Sequence, residues 1–174
     1  GGLQEIVFIG GYQIDRVRAE YPQLQFRHNV NWERNNILAS LFHAEADMDR
    51  GFVCTYADIL FRPRVVQRLM QSPYDITLVV DTDWRERYRA RTEHPEDDGE
   101  KVLVAGERVL RVARDLASAQ AHGEYIGVAR FTAAGARLLR EHYAEVRARY
   151  DGRPFRGAAS LEQAYLILMF QELI

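Results

Sequence analysis

The sequence predicts an α/β fold, a three-layer sandwich with a mostly parallel, Rossmann-like mixed sheet. Three observations carry that reading. Apolar runs of strand length alternate with stretches of helical period from residue 6 to residue 80. The first run, the first helical stretch and the second run have the spacing of a βαβ unit, for which parallel pairing through a right-handed crossover is expected. A hairpin pattern and mixed elements come only afterwards, beyond residue 100.

The elements follow in order. Ile6, Val7, Phe8 and Ile9 form a short β-branched and aromatic run, closed by Gly10 and Gly11. A helix is predicted over 13–20, ended by Pro22. Residues 24–27 alternate apolar and polar and read as a strand, with a polar loop over 28–32. Ile37, Leu38, Leu41 and Phe42 share one helical face, and Asn35 or Asn36 would cap that helix. Residues 52–55 form the next buried strand. Pro63 opens a helix over 63–70, where a missing N–H costs nothing. Residues 76–80 are a fully apolar strand running into Asp81, Thr82, Asp83 and Trp84.

The pattern then changes. Residues 85–100 are dense in charge and read as a surface excursion with few apolar anchors. Residues 101–104 and 108–112 read as a hairpin around Gly106, and 124–131 as a further strand. A long amphipathic helix is predicted over 133–150, with Leu138, Leu139, Tyr143 and Val146 on one side. Residues 161–174 read as a last helix, capped by Ser160.

Composition narrows the functional classes. The chain has 174 residues, 47% hydrophobic and 28% charged, which is the make-up of one globular domain. A net charge of -2 argues against a nucleic-acid binder driven by bulk charge. Cys54 is the single cysteine, so no intrachain disulfide or cysteine metal cluster forms. No apolar run approaches the roughly 20 residues of a membrane span, and the expected location is cytoplasmic. The first residue is Gly1, an apolar run begins almost at once, and the final helix simply stops. The chain therefore reads as the ordered part of a longer protein.

In an α/β sheet, ligands bind beyond the carboxyl ends of the strands, so the residues just after each strand are the candidates. Asp58 follows the strand over 52–55 through Tyr56 and Ala57. Its carboxylate suits a hard cation presented to substrate phosphates, and it equally suits a turn or a helix cap. Asp81 and Asp83 beside the Trp84 indole suit a cationic head group, or a turn with solvated aspartates. Asn35 and Asn36, with Ser40 one turn on, offer amide and hydroxyl groups that read a base edge or cap a helix. The histidines show no metal spacing, and His94 in the charged excursion is the one to watch. Gly10-Gly11 lacks the rest of a phosphate-loop glycine pattern.

Taken in order, these segments resemble the nucleotidyltransferase family of the sugar-phosphate and phosphocholine cytidylyltransferase type. The resemblance spans nearly the whole chain. It rests on Glu5 to Tyr12 as a strand and turn, and on Asn29 to Leu41, with Asn35-Asn36-Ile37-Leu38-Ala39-Ser40-Leu41, as the base-side helix start. Tyr56-Ala57-Asp58-Ile59-Leu60-Phe61 resembles the segment with the metal-binding aspartate. Val80 to Trp84, Glu100-Lys101-Val102 and Gly123 to Val128 resemble the acceptor-side segments. There are departures. The family's Gly-rich loop with a basic residue, and a second metal aspartate after the last helix, have no counterpart here. Ala57 stands where relatives often have Gly. The expectation is one nucleotidyltransferase-like domain over 1–174 that lacks its N-terminal βα unit and its C-terminal end.

The resemblance implies a Mg²⁺-dependent nucleotidyltransferase. It would move a nucleoside monophosphate, CMP from CTP above all, to a small phosphorylated or phosphonate acceptor such as phosphocholine, releasing pyrophosphate. Asp58 would hold Mg²⁺, and Asn35, Asn36, Ser40 and Tyr56 would face the nucleotide. Asp81, Asp83, Trp84, Arg91, Lys101 and Glu124 would shape the acceptor site, with Lys101 or Arg91 on its phosphate. No nucleic acid and no membrane is implied as a partner. The alternatives are a hexose-1-phosphate nucleotidyltransferase and a catalytically inactive nucleotide-binding or regulatory domain of the same fold.

Overall fold

Val7–Gly10 (β1) and Gln25–His28 (β2) pair in parallel, Val7 opposite Gln25 and Gly10 opposite His28. Helix α1, Ile14–Glu20, joins them and buries Ile14, so the predicted βαβ unit is present. This computed structural model describes residues 5–89, 91, 93 and 95–174. His94 lies outside the described residues.

By contacts the chain divides into two compact units, each discontinuous in sequence. The first comprises Gly1–Asp49 and Arg140–Leu166, the second Arg50–Leu139 and Ile167–Ile174. In the first unit, α2 (Ile37–Leu41) passes into a 3-10 segment, Phe42–Asp47, and Leu38 and Ala44 are buried. Backbone bonds tie the start of α2 to the distant part of the unit, Asn36 N to Glu162 O at 2.8 Å and Leu38 N to Ala164 O at 3.3 Å. Arg27 holds Asp47 through two nitrogens at 2.8 and 2.6 Å. Phe155, Leu161 and Ala164 complete the interior of this unit.

The second unit is built on one long strand, Gly123–Phe131 (β7). Phe52–Thr55 (β3) and Ile76–Asp81 (β4) both pair with it antiparallel, and Phe131 faces Phe52 on one side and Ile76 on the other. Lys101–Ala105 (β5) adds to the amino end of β7, and Arg108–Ala113 (β6) closes the predicted hairpin on β5, turning at Gly106. Among the described residues only β1 and β2 pair in parallel, as a two-stranded sheet, and every pairing in the separate five-stranded sheet is antiparallel, so the expectation of a mostly parallel, Rossmann-like sheet is corrected. The reason is topological. β3, the helix α3 (Pro63–Met70, with proline in its first turn as expected) and β4 do follow in βαβ order, but β7 inserts between the two strands.

Other corrections are local. Residues 85–88 of the charged stretch continue from Trp84 as a helix, α4 (Trp84–Tyr88), anchored by Trp84, which is 2% exposed. Helix α5 covers Ala133–Arg149, with Ala136, Leu139 and Val146 buried, while Leu138 is turned outward at 48% exposure. Leu138 and Leu139 are a third of a turn apart, and only the latter lies on the stripe. The last helix, α6, is Leu166–Leu173 and begins well after Ser160, whose side chain bonds Glu162 instead of capping it.

Candidate functional site

β3 ends at Thr55, and the chain leaves the sheet at Tyr56 with its N–H still bonded to Gly127 O at 2.9 Å. The Tyr56 ring lies where a side chain on Gly127 would stand, and Gly127 holds a φ of 75°. Glycine is required there on both counts. Asp58, two residues on, is exposed. Among the described residues no three His, Cys, Asp or Glu side chains gather to hold a metal. An exposed hard-oxygen donor still fits Mg²⁺, which commonly takes one or two carboxylates and completes its shell with water and substrate phosphates.

The acceptor-side residues predicted from sequence meet in the same unit. Glu124 of β7 stands in register between Asp81 of β4 and Lys101 of β5. Asp81 binds Arg87 through one oxygen, and through the other accepts from Asp83 N at 3.0 Å. The Asp81 carboxylate raises the Arg87 guanidinium pKa by hydrogen bonding and charge. Glu124 accepts from the Tyr88 hydroxyl. Burial, that bond and the Glu124 charge push the Tyr88 phenol up. Asp83 is exposed at the start of α4, and Arg91 is exposed with its guanidinium 4.7 Å from the Tyr88 ring centre.

Two of these residues are placed differently from a ligand-facing reading. Trp84 is buried, edge-on to Tyr88 with Arg85 stacked on its ring at 5.5 Å. Lys101 is 1% exposed, and its ammonium donates to Glu96 O and Asp97 O at 3.3 and 3.1 Å, closing the short 3-10 turn Glu96–Asp98.

Glu100 was not singled out by the sequence reading as a residue in its own right. It is 8% exposed, and Tyr56 donates to it at 3.4 Å. Burial raises its carboxyl to about 7, while the Arg114 charge and the Tyr56 bond pull it down and the Glu124 charge adds to the rise. Burial and Glu100 together push the Tyr56 phenol up. Burial also carries the Cys54 thiol to about 12, which leaves it unreactive. A buried acid at the end of the charged stretch, just before β5, could have been suspected from the Gly99-Glu100-Lys101 step into an apolar strand, but its tyrosine partner is 44 residues away.

Asn35, Asn36 and Ser40 belong to the first unit. The Asn36 side chain accepts from Ile37 N at 2.7 Å and so caps α2. Asn35 pairs reciprocally with Asn29, amide to amide at 2.9 Å both ways. Asn29 is 3% exposed and also accepts from Asn31 N at 3.1 Å. The sequence places Asn29 in the base-side segment but gives no sign of its burial, because an asparagine in a polar loop looks solvated. Asn35 also lines a cleft of about 550 Å³ in this unit, whose wall carries Arg34, His43, Arg147 and Glu162.

No family model matches the chain. It is similar to the CTP:phosphoglutamine cytidylyltransferase of Campylobacter jejuni, 23% identical over 141 residues, covering 75% of this chain and 56% of the relative. Its fold is that of the inositol-1-phosphate CTP transferase of T. maritima, with a TM-score of 0.66 at 16% identity, covering 98% of this chain and 62% of that structure. The chain thus spans less than two thirds of either protein. The sequence similarity bears out the resemblance to nucleotidyltransferases of the cytidylyltransferase kind, and the structural similarity bears out the fold. No helix among the described residues is long and apolar enough to cross a membrane.

Proposed function

We propose that the full protein transfers CMP from CTP to a small phosphorylated acceptor and releases pyrophosphate. The similarity to a cytidylyltransferase acting on phosphoglutamine carries this reading. The exposed Asp58 carboxylate just beyond β3 is consistent with it. In the reaction an anionic oxygen of the acceptor phosphate attacks the α-phosphorus of CTP. The bond from that phosphorus to the bridging oxygen of the β-phosphate breaks, and pyrophosphate leaves with the electron pair. The attacking oxygen carries no proton, so no general base is required, and positioning with charge neutralisation supplies the catalysis.

Asp58 is the residue that would hold Mg²⁺, whose charge neutralises the triphosphate when bound. The amide N–H groups of the Asn36 side chain, with Ser40, would meet the edge of the base. Arg91, exposed where Lys101 is buried, is the cation for the acceptor phosphate. Asp83 and Glu124, with Asp81 held by Arg87, favour an acceptor that carries an amine, as distinct from a plain sugar phosphate. The test is pyrophosphate release by the full-length protein from the four common nucleoside triphosphates, each with amine-bearing, quaternary ammonium and polyol phosphates. CTP with an amine-bearing phosphate is expected to react fastest. No release with any pair would leave a binding domain of the same fold.

A further inference from the structure

Parallel strands β1 and β2 end side by side at Gly10 and His28. The segments that leave them carry two exposed aromatic rings, Tyr12 at 68% and Trp32 at 41% exposure, with Val30 at 67% between the second strand and Trp32. The rings are in contact, tilted at 53° with centres 5.3 Å apart. Single exposed apolar residues need no explanation, but a held group of aromatics at the carboxyl end of a parallel strand pair does.

The group is held. Gly11 leaves no room for a side chain because Trp32 packs on its backbone. Gln13 adopts a left-handed φ of 51°, unfavourable for a residue with a side chain. From there its Nε2 donates to the Tyr12 hydroxyl and its Oε1 accepts from Arg16, both at 2.8 Å. On the other side, the buried Asn29 fixes the loop by bonding Asn31 N and Asn35. A loop fixed by a buried amide and a strained neighbour, yet presenting large rings to water, loses apolar burial that an ordinary surface loop would not give up.

We propose that Tyr12 and Trp32 form a stacking platform for the nucleobase of the nucleotide substrate. The proposal rests on the cytidylyl-transfer reading above. It complements the Asn pair, since the Asn35 amide is engaged with Asn29 and the Asn36 oxygen with the helix. Every base has a π-face, so stacking contributes affinity without choosing the base.

Of the two tryptophans in this chain Trp84 is 2% exposed, so a change in emission that Trp32→Phe abolishes reports on Trp32. In the full-length protein, CTP should quench tryptophan emission, and inorganic tripolyphosphate at the same concentration should not. Trp32→Phe should lose the quenching and keep CTP affinity within about threefold, because a ring remains. Tyr12→Ala, at a position too exposed to matter for folding, should weaken CTP and UTP alike by about tenfold, which is about 1.4 kcal/mol. A Tyr12→Ala, Trp32→Ala protein that melts normally and binds CTP as tightly as wild type overturns the platform and leaves the transferase reading standing. The platform is equally overturned if those substitutions dissolve a dimer with CTP affinity unchanged, since the rings would then meet a second copy. If the wild-type protein binds no nucleoside triphosphate, the transferase reading falls and the platform with it.

Discussion

Asp58 and Glu100 lie in the same unit with opposite environments. Asp58 is exposed, so its side chain contributes little to folding. Asp58→Asn keeps the shape and removes the charge. Turnover by the full-length protein should fall by about two orders of magnitude or more, about 3 kcal/mol of transition-state stabilisation, with an unchanged melting temperature. Near-normal turnover would reduce Asp58 to a turn residue. Glu100 is buried, and burial raises its carboxyl to about 7 from an ordinary 4.5. Between those values the folded chain holds a proton that the unfolded chain has released. Stability from this group is therefore full below about pH 4.5, declines as pH rises, and levels off above about 7. Glu100→Gln has no proton to lose, so the difference in urea midpoint between pH 5 and pH 8 should shrink in the variant. Equal differences in both proteins would show that Glu100 is not the titrating group.

Strand positions were legible in the sequence because buried strands read as apolar runs, and Phe52–Thr55 and Ile76–Asp81 lie where those runs fall. Pairing was legible only where it is local. The β1–α1–β2 unit closes over 20-odd residues and its parallel pairing follows from spacing. The β3–β4 step gave the same local signal, yet β7, more than 40 residues later, separates the two strands. No local pattern encodes an insertion of that kind. The exposed carboxylates Asp58 and Asp83 were found by strand-end position, whereas the Tyr56–Glu100 and Tyr88–Glu124 pairs depend on long-range closure. The seat of Tyr56 on β7 can be tested through Gly127. Alanine there must take a φ of 75° and collide with the Tyr56 ring. Gly127→Ala should cost about 1–3 kcal/mol in chemical denaturation, and more if the ring cannot move. A neutral substitution would mean that Tyr56 has another resting place.

Across the whole molecule, each unit borrows its last pieces from far along the chain. The second unit is closed by residues 167–174. There Phe170 packs edge-on to Tyr125 at 5.4 Å and against Phe131 at 6.2 Å, and Gln171 Oε1 accepts from Val112 N at 3.0 Å. Ile167, Met169 and Phe170 are each no more than 2% exposed. At about 1.5–3 kcal/mol for each buried apolar side chain, their loss rivals the roughly 5–15 kcal/mol by which a domain of this size is stable. The first unit needs none of them, since Phe155, Leu161 and Ala164 and the bonds from Asn36 and Leu38 all lie before residue 167. A protein cut after Leu166 should therefore lose amide protection in β3, β4 and β7 while β1 and β2 keep most of theirs. Hydrogen exchange followed by mass spectrometry reads both regions in one experiment. Equal loss in both sets of strands would show that the two units fold as one cooperative body. Equal retention would show that the aromatic cluster around Phe170 contributes little to the sheet it covers.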